Sequence, residues 1–75
     1  MMIIFTDHAL LKLRQRGISR QIVVQTLKNP DQEQPGHKLR LIRYKKFKKL
    51  LMAVVFVAEA HDVIVITAHW VERIA

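Results

Sequence analysis

The sequence contains no cysteine, and only two glycines and two prolines in 75 residues. The missing cysteine excludes disulfide scaffolds, thiolate zinc sites and cysteine nucleophiles. A small domain that folds without disulfides suits a reducing cytoplasm. Acidic residues are scarce: six Asp and Glu stand against thirteen Lys and Arg, a formal charge of +7. No carboxylate cluster or histidine pair has the spacing of a metal site, so no metal or other cofactor is expected. Long apolar runs are missing too. The longest, Leu50 to Ala58, is about half of what a membrane-spanning helix needs. Met1 to Phe5 lacks the basic start and long apolar stretch of a signal peptide. No membrane partner is expected.

What is present is a core. Hydrophobic residues make up 51% of the chain, which argues for one globular domain over residues 1–75 and against disorder. The excess of positive charge costs self-repulsion and is commonly kept for an anionic partner. Nucleic acid heads that class. The composition also leaves a homodimer open.

Local patterns predict an α+β domain. Ile3 to Phe5 is β-prone and predicts a first strand. Thr6 and Asp7 offer N-cap oxygens for a helix from His8 to about Arg16, with Gly17 in the left-handed C′ position. Ala9, Leu10 and Leu13 form its buried stripe, while His8, Lys12 and Arg16 stack four apart on one flank. Ser19 predicts a second N-cap, Arg20 to Lys28 a second helix with Ile22, Val23, Thr26 and Leu27 inward, and Asn29-Pro30 its end. Asp31 to His37 is expected as a polar loop with a Pro35-Gly36 turn.

From Lys38 the period becomes two. Its phase slips near Leu41-Ile42, through a β-bulge or simple strand twist. Lys45 to Lys49 has no glycine or asparagine, so no tight two-residue turn is indicated there. Leu50 to Ala58 is continuously apolar, as for a central strand covered on both faces. Glu59 to Asp62 is a turn into a last strand, Val63 to Ala68, and His69 to Ala75 is expected to form a final helical turn. The order is β-α-α-β-β-β, an antiparallel meander with the αα-hairpin on one face.

Thr6-Asp7-His8-Ala9, then Arg16-Gly17-Ile18-Ser19, Asn29-Pro30 and the closing Val63-Ile64-Val65-Ile66-Thr67-Ala68 resemble a small bacterial domain family of the RelE/ParE toxin superfamily. The resemblance spans essentially the whole chain. It implies a toxin of a toxin-antitoxin pair, with activities that range from ribosome-dependent mRNA cleavage to blocking of a protein target. It also implies an acidic antitoxin as partner. One departure is Lys12, where the family usually has arginine; lysine keeps the charge and loses the planar fork that grips a phosphate.

RNA cleavage without a metal needs a base for the 2′-hydroxyl, cations for the phosphate and an acid for the leaving oxygen. His8 at the start of the first helix is the candidate base and Arg16 the candidate phosphate ligand. His69, beside Trp70 after the last strand, is a candidate acid or a ring that stacks on a base. A capping or packing role competes for His8, helix-dipole complementarity or a carbonyl contact for Arg16, and a plain surface position for His69. His37 and His61 fall in expected loops and carry no signal.

The densest charge lies in Lys38 to Lys49, with seven of the thirteen basic residues: Lys38, Arg40, Arg43, Lys45, Lys46, Lys48 and Lys49. Tyr44 and Phe47 are interleaved, as in surfaces that neutralise phosphates and stack on unpaired bases. A solvated hairpin whose lysines guard a sheet edge is the competing account. The sequence thus points to an RNA-directed domain acting on RNA or the ribosome. A nucleic-acid-binding module without catalysis and a toxin against a protein target are the alternatives.

Overall fold

Thr6 fixes the start of the first helix in a computed structural model that describes residues 1–74. Its Oγ1 accepts from the Ala9 amide at 3.0 Å and donates to the Val65 carbonyl at 3.2 Å. One side chain therefore caps α1 (Asp7–Arg16) and ties it to the sheet. At the other end Gly17 takes φ 65°. Its amide donates to Arg14 O at 3.3 Å, and the Ile18 amide donates to Leu13 O at 2.9 Å. This is a Schellman close, with Leu13 and Ile18 as its apolar pair in the core. Ser19 Oγ accepts from the Ile22 amide at 3.2 Å and opens α2 (Arg20–Lys28), which stops at Asn29 before Pro30. Both helices lie where the caps predicted them.

The strands are β1 (Ile3–Phe5), β2 (Gln32–Pro35), β3 (Leu41–Phe47), β4 (Leu50–Glu59) and β5 (Asp62–Val71). They form one sheet in the order β1-β5-β4-β3-β2. β2 through β5 are an antiparallel meander, while β1 pairs with β5 in parallel, Ile3 opposite Val63. The sheet is therefore mixed and not wholly antiparallel. β1 takes the edge beside the last strand and runs with it, which delivers Thr6 to Val65 and starts α1 over the sheet.

Several expectations need correction. The polar loop after Pro30 contains β2, an edge strand whose Gln-Glu-Gln-Pro side chains are largely exposed and show no apolar alternation; proline is tolerated at such an edge. The expected final helical turn is strand instead: His69, Trp70 and Val71 pair with Ala53, Met52 and Leu51, because the ten-residue β4 offers them partners. Ala75 lies outside the described residues.

A tight turn does join β3 and β4, since Phe47 pairs with Leu50 around Lys48 and Lys49. Lys48 takes φ 58° there, and Ala60 takes φ 54° in the next hairpin. The β3–β4 register runs unbroken from Leu41 to Phe47. Leu39, at φ 64° and 95% exposed, belongs to the preceding loop. The register breaks in β5, where Val55 faces Thr67 and Phe56 faces Val65, leaving Ile66 as the extra residue.

The helices cover one face of the sheet. Ala9, Leu13, Val23 and Leu27 join Met52, Val54, Phe56, Val63, Val65 and Ala68 in one core cluster. Alternation turns Leu51, Ala53, Val55 and Val57 to the other side, on which no described helix packs. The apolar run of β4 is thus covered by helices on one face only. No described helix is long and apolar enough to cross a membrane.

Gly17 and Ala60 give opposite expectations for stability. A Cβ at Gly17 would meet nothing within 4 Å, so Gly17→Ala should cost only the left-handed backbone, about 1–2 kcal/mol. Ala60→Gly removes that strain and should gain up to about 1 kcal/mol. Chemical denaturation of both variants checks this; no change in either would show that the helix close and the hairpin adjust freely.

Candidate functional site

β1 has three residues and β5 has ten. Beyond Val65, therefore, no described strand lies on the β1 side of β5. The register break at Ile66 falls just where β1 ends. Arg16, the last residue of α1, reaches this open edge: its Nη1 donates to Thr67 Oγ1 and to the Ala68 carbonyl, both at 2.9 Å. An edge carbonyl is thereby satisfied, and the guanidinium is fixed with its remaining N–H groups free of any described partner.

His69 follows on the same strand. Its register partner is Ala53, whose other partner is Tyr44, so the three share one row across the uncovered face. His69 is half-buried. Burial, and second the neighbouring Arg16 charge, hold its pKa below the ordinary value of 6.5. The ring is neutral at pH 7. A neutral imidazole beside a guanidinium is suited to accept a proton.

The structure brings Arg16 and His69 together but gives His8 no place with them. His8 is exposed in the first turn of α1, eight residues from Arg16 and so ~12 Å away along the axis. It makes no hydrogen bond to a described residue. Lys12 lies between them, half-buried and equally without such a bond.

The basic stretch divides into parts with different work. Arg43 is internal. Its Nε pairs with Glu33 at 2.7 Å, Nη1 donates to Leu27 O at 2.8 Å, and the guanidinium lies 4.7 Å from the centre of the Phe56 ring. Lys45 Nζ donates to Asn29 O at 3.0 Å. These two bolt the end of α2 to the sheet, so both expected phosphate ligands already have partners within the chain. Tyr44 is 4% exposed, with its hydroxyl accepting from Gln34 Nε2 at 3.0 Å. Phe47 packs on the core edge-to-face with Trp70 at 5.8 Å. Neither ring stands free to stack on a base.

Lys46, Lys48 and Lys49 remain exposed at one end of β3, and Lys38 and Arg40 at the other. Lys46 lies within β3, and the six residue steps from Arg40 to it, at ~3.4 Å each, hold the two groups about 20 Å apart. The expected stripe is thus two separate cationic ends. Thr67, the side-chain anchor of Arg16, escaped the sequence reading; nothing in a β-prone run marks one threonine as lying beside a distant helix end.

Residues 5–70 match a family described as a domain of unknown function, DUF4258, and the chain belongs to that family. No curated protein and no solved structure matches the chain.

The depressed His69 pKa has a consequence for stability. In the unfolded chain the ring takes up its proton near the ordinary 6.5, before the folded protein does. Stability is therefore full above that pH and falls as the pH drops toward the folded pKa. His69→Gln should flatten the decline in melting temperature between pH 7 and 5 relative to the parent protein. Parallel declines in the two proteins would show that His69 titrates normally.

Proposed function

We propose that this member of the family is a toxin-like RNA-directed domain, of the RelE/ParE kind it resembles, in which Arg16 holds a phosphate and His69 acts on it. The observation that carries the reading is the pairing of a guanidinium fixed on Thr67 and Ala68 with a neutral, half-buried imidazole at an uncovered strand edge. A phosphodiester laid along that edge meets the free N–H groups of Arg16. His69 takes the proton of the 2′-hydroxyl, whose oxygen then attacks phosphorus, and the 5′-oxygen leaves with a proton from solvent. The step needs no bound metal. Lys46, Lys48 and Lys49 extend the cationic surface for flanking phosphates. RNA, free or on the ribosome, is the substrate class, and the cytoplasm of a bacterial cell is the setting this implies.

The uncovered sheet face favours a companion reading. Leu51, Val55, Val57 and Ile64 are half-buried there with no described helix over them, and the chain carries +7. An acidic antitoxin with an apolar face would bury these residues and mask His69 together. Self-pairing would bring two chains of the same sign together. If the edge binds RNA without cutting it, the protein is a nucleic-acid-binding module; if it ignores RNA, the face serves a protein target.

The test is induced expression in bacteria, with growth and RNA integrity followed together, for the parent, Arg16→Lys and His69→Gln. Loss of a general base costs about 100- to 10,000-fold in rate, so His69→Gln should spare the fold and stop RNA decay. Decay at the parental rate would remove His69 from the chemistry. On purified protein, changing Lys46, Lys48 and Lys49 to Gln should lower the slope of log affinity for single-stranded RNA against log salt by about 2. An unchanged slope places the phosphates elsewhere.

A further inference from the structure

The hairpin of β2 and β3 closes at His37 to Arg40. There the Arg40 amide donates to the His37 carbonyl at 3.3 Å, and the Gly36 amide to the Arg40 carbonyl at 2.8 Å. The two central residues of this turn, Lys38 and Leu39, take φ 54° and 64°. Turns with positive φ at both central positions are dominated by glycine, asparagine and aspartate, because a larger side chain opposes that backbone. Each residue so held lowers the folded-to-unfolded ratio by about 5- to 30-fold. Leu39 is also 95% exposed, more than any other large apolar side chain among the described residues. A leucine here adds strain to the backbone and buries no apolar surface, so the fold gains nothing from it. Lys48 and Ala60 turn left-handed as well, but singly, and neither sets a large apolar side chain in water.

The tip is cationic around that leucine. Lys38 and Arg40 flank it and both are exposed. No carboxylate occurs in the chain between Glu33, which Arg43 holds, and Glu59. One apolar group between two cations suits a polymer with anions outside and an apolar stack within, which describes paired nucleic acid. Phosphate contacts alone would use the cations and leave the leucine wet. A membrane surface is a poor match, since even a whole myristoyl chain binds one only marginally and a leucine side chain is far smaller. A protein pocket for Leu39 would need an acidic rim and would leave base stacks untouched. β5, which carries His69, is two strands away from β3 in the sheet, about 10 Å. The tip therefore meets a different stretch of a bound chain from Arg16 and His69.

We propose that the β2–β3 tip is a wedge for a paired segment of RNA. Leu39 enters between two adjacent base pairs, and Lys38 and Arg40 hold phosphates beside them. The minor groove of paired RNA is wide and shallow, so a hairpin tip reaches its base edges. Apolar wedges of this kind partly unstack one base step, and the cost is offset by the contacts that the opened step permits. The proposal rests on the RNA reading for the polymer and is independent of the chemistry at His69.

The experiment uses the whole chain and a set of RNA stem-loops with 2-aminopurine at successive steps of the stem. Their 2′-O-methyl backbone lacks the hydroxyl that His69 would activate, so they are not cut. The parent protein should raise the 2-aminopurine emission at an unstacked step, and Leu39→Met should keep that rise. Leu39→Asn should abolish it and weaken stem binding about 3- to 30-fold, the burial of one leucine less part of the unstacking. The same variant should melt at or above the parental temperature, because asparagine accepts the left-handed backbone. Lys38→Gln and Arg40→Gln should each lower the salt slope of stem binding by about 1. Inorganic polyphosphate, which has no bases, should bind the parent and Leu39→Asn equally. No emission rise at any step, a rise that survives Leu39→Asn, an equal loss on polyphosphate, or a Leu39→Asn protein that melts well below the parent would overturn the proposal. A parent that binds single-stranded RNA without opening any stem overturns the wedge and leaves the RNA reading standing. RNA decay undiminished by His69→Gln overturns the cleavage reading and leaves the wedge.

Discussion

The hydrogen bonds from Arg16 to Thr67 and Ala68 hold the arrangement on which the candidate site depends. A three-residue β1 beside a ten-residue β5 leaves β5 beyond Val65 with no described strand on its β1 side, and the backbone groups that face that side need partners. Arg16 supplies one of them. Thr6 fixes the start of α1 to Val65, and Arg16 fixes its end beyond the extra residue, Ile66. The helix therefore spans the register break and is pinned on both sides of it. That pinning holds the guanidinium near His69.

Positive charge in this protein does two kinds of work. Arg43 and Lys45 use theirs within the chain, on the carbonyls at the end of α2. Arg43 also joins Glu33 on β2 to the Phe56 ring, so one side chain ties an edge strand, a helix end and the core. Lys46, Lys48, Lys49, Lys38 and Arg40 keep theirs for solvent and for whatever anion arrives. Proximity in sequence does not make a surface: the strand that carries these residues also separates them.

The helices were legible because their signals are local. Thr6, Gly17, Ser19 and Asn29-Pro30 act within one turn of chain, and each does what its chemistry dictates. The sheet was less legible. β2 carries no apolar alternation, and its pairing with β3 is decided by neighbours distant in sequence. Lys48 and Ala60 accept left-handed backbones that glycine or asparagine would normally mark, so the tight Lys48-Lys49 turn gave no signal. Alternation separates Arg43 and Lys45 from Tyr44 and Lys46, but it cannot say which set faces the helices. For the same reason the pairing of Arg16 with His69 was open: both were candidates, yet their approach across 53 positions is set by the fold, and His8, one flank-mate of Arg16, is left apart.

The most direct test of the account is the titration of the His69 ring proton by NMR, in the free protein and with a short non-cleavable RNA analogue. Burial and Arg16 should hold the free-protein pKa below 6.5, and a phosphate bound beside the ring should raise it, since a nearby anion favours imidazolium. A His69 that titrates at its ordinary value, or one whose pKa does not move when the RNA analogue binds, would contradict the placing of the reactive phosphate at this edge.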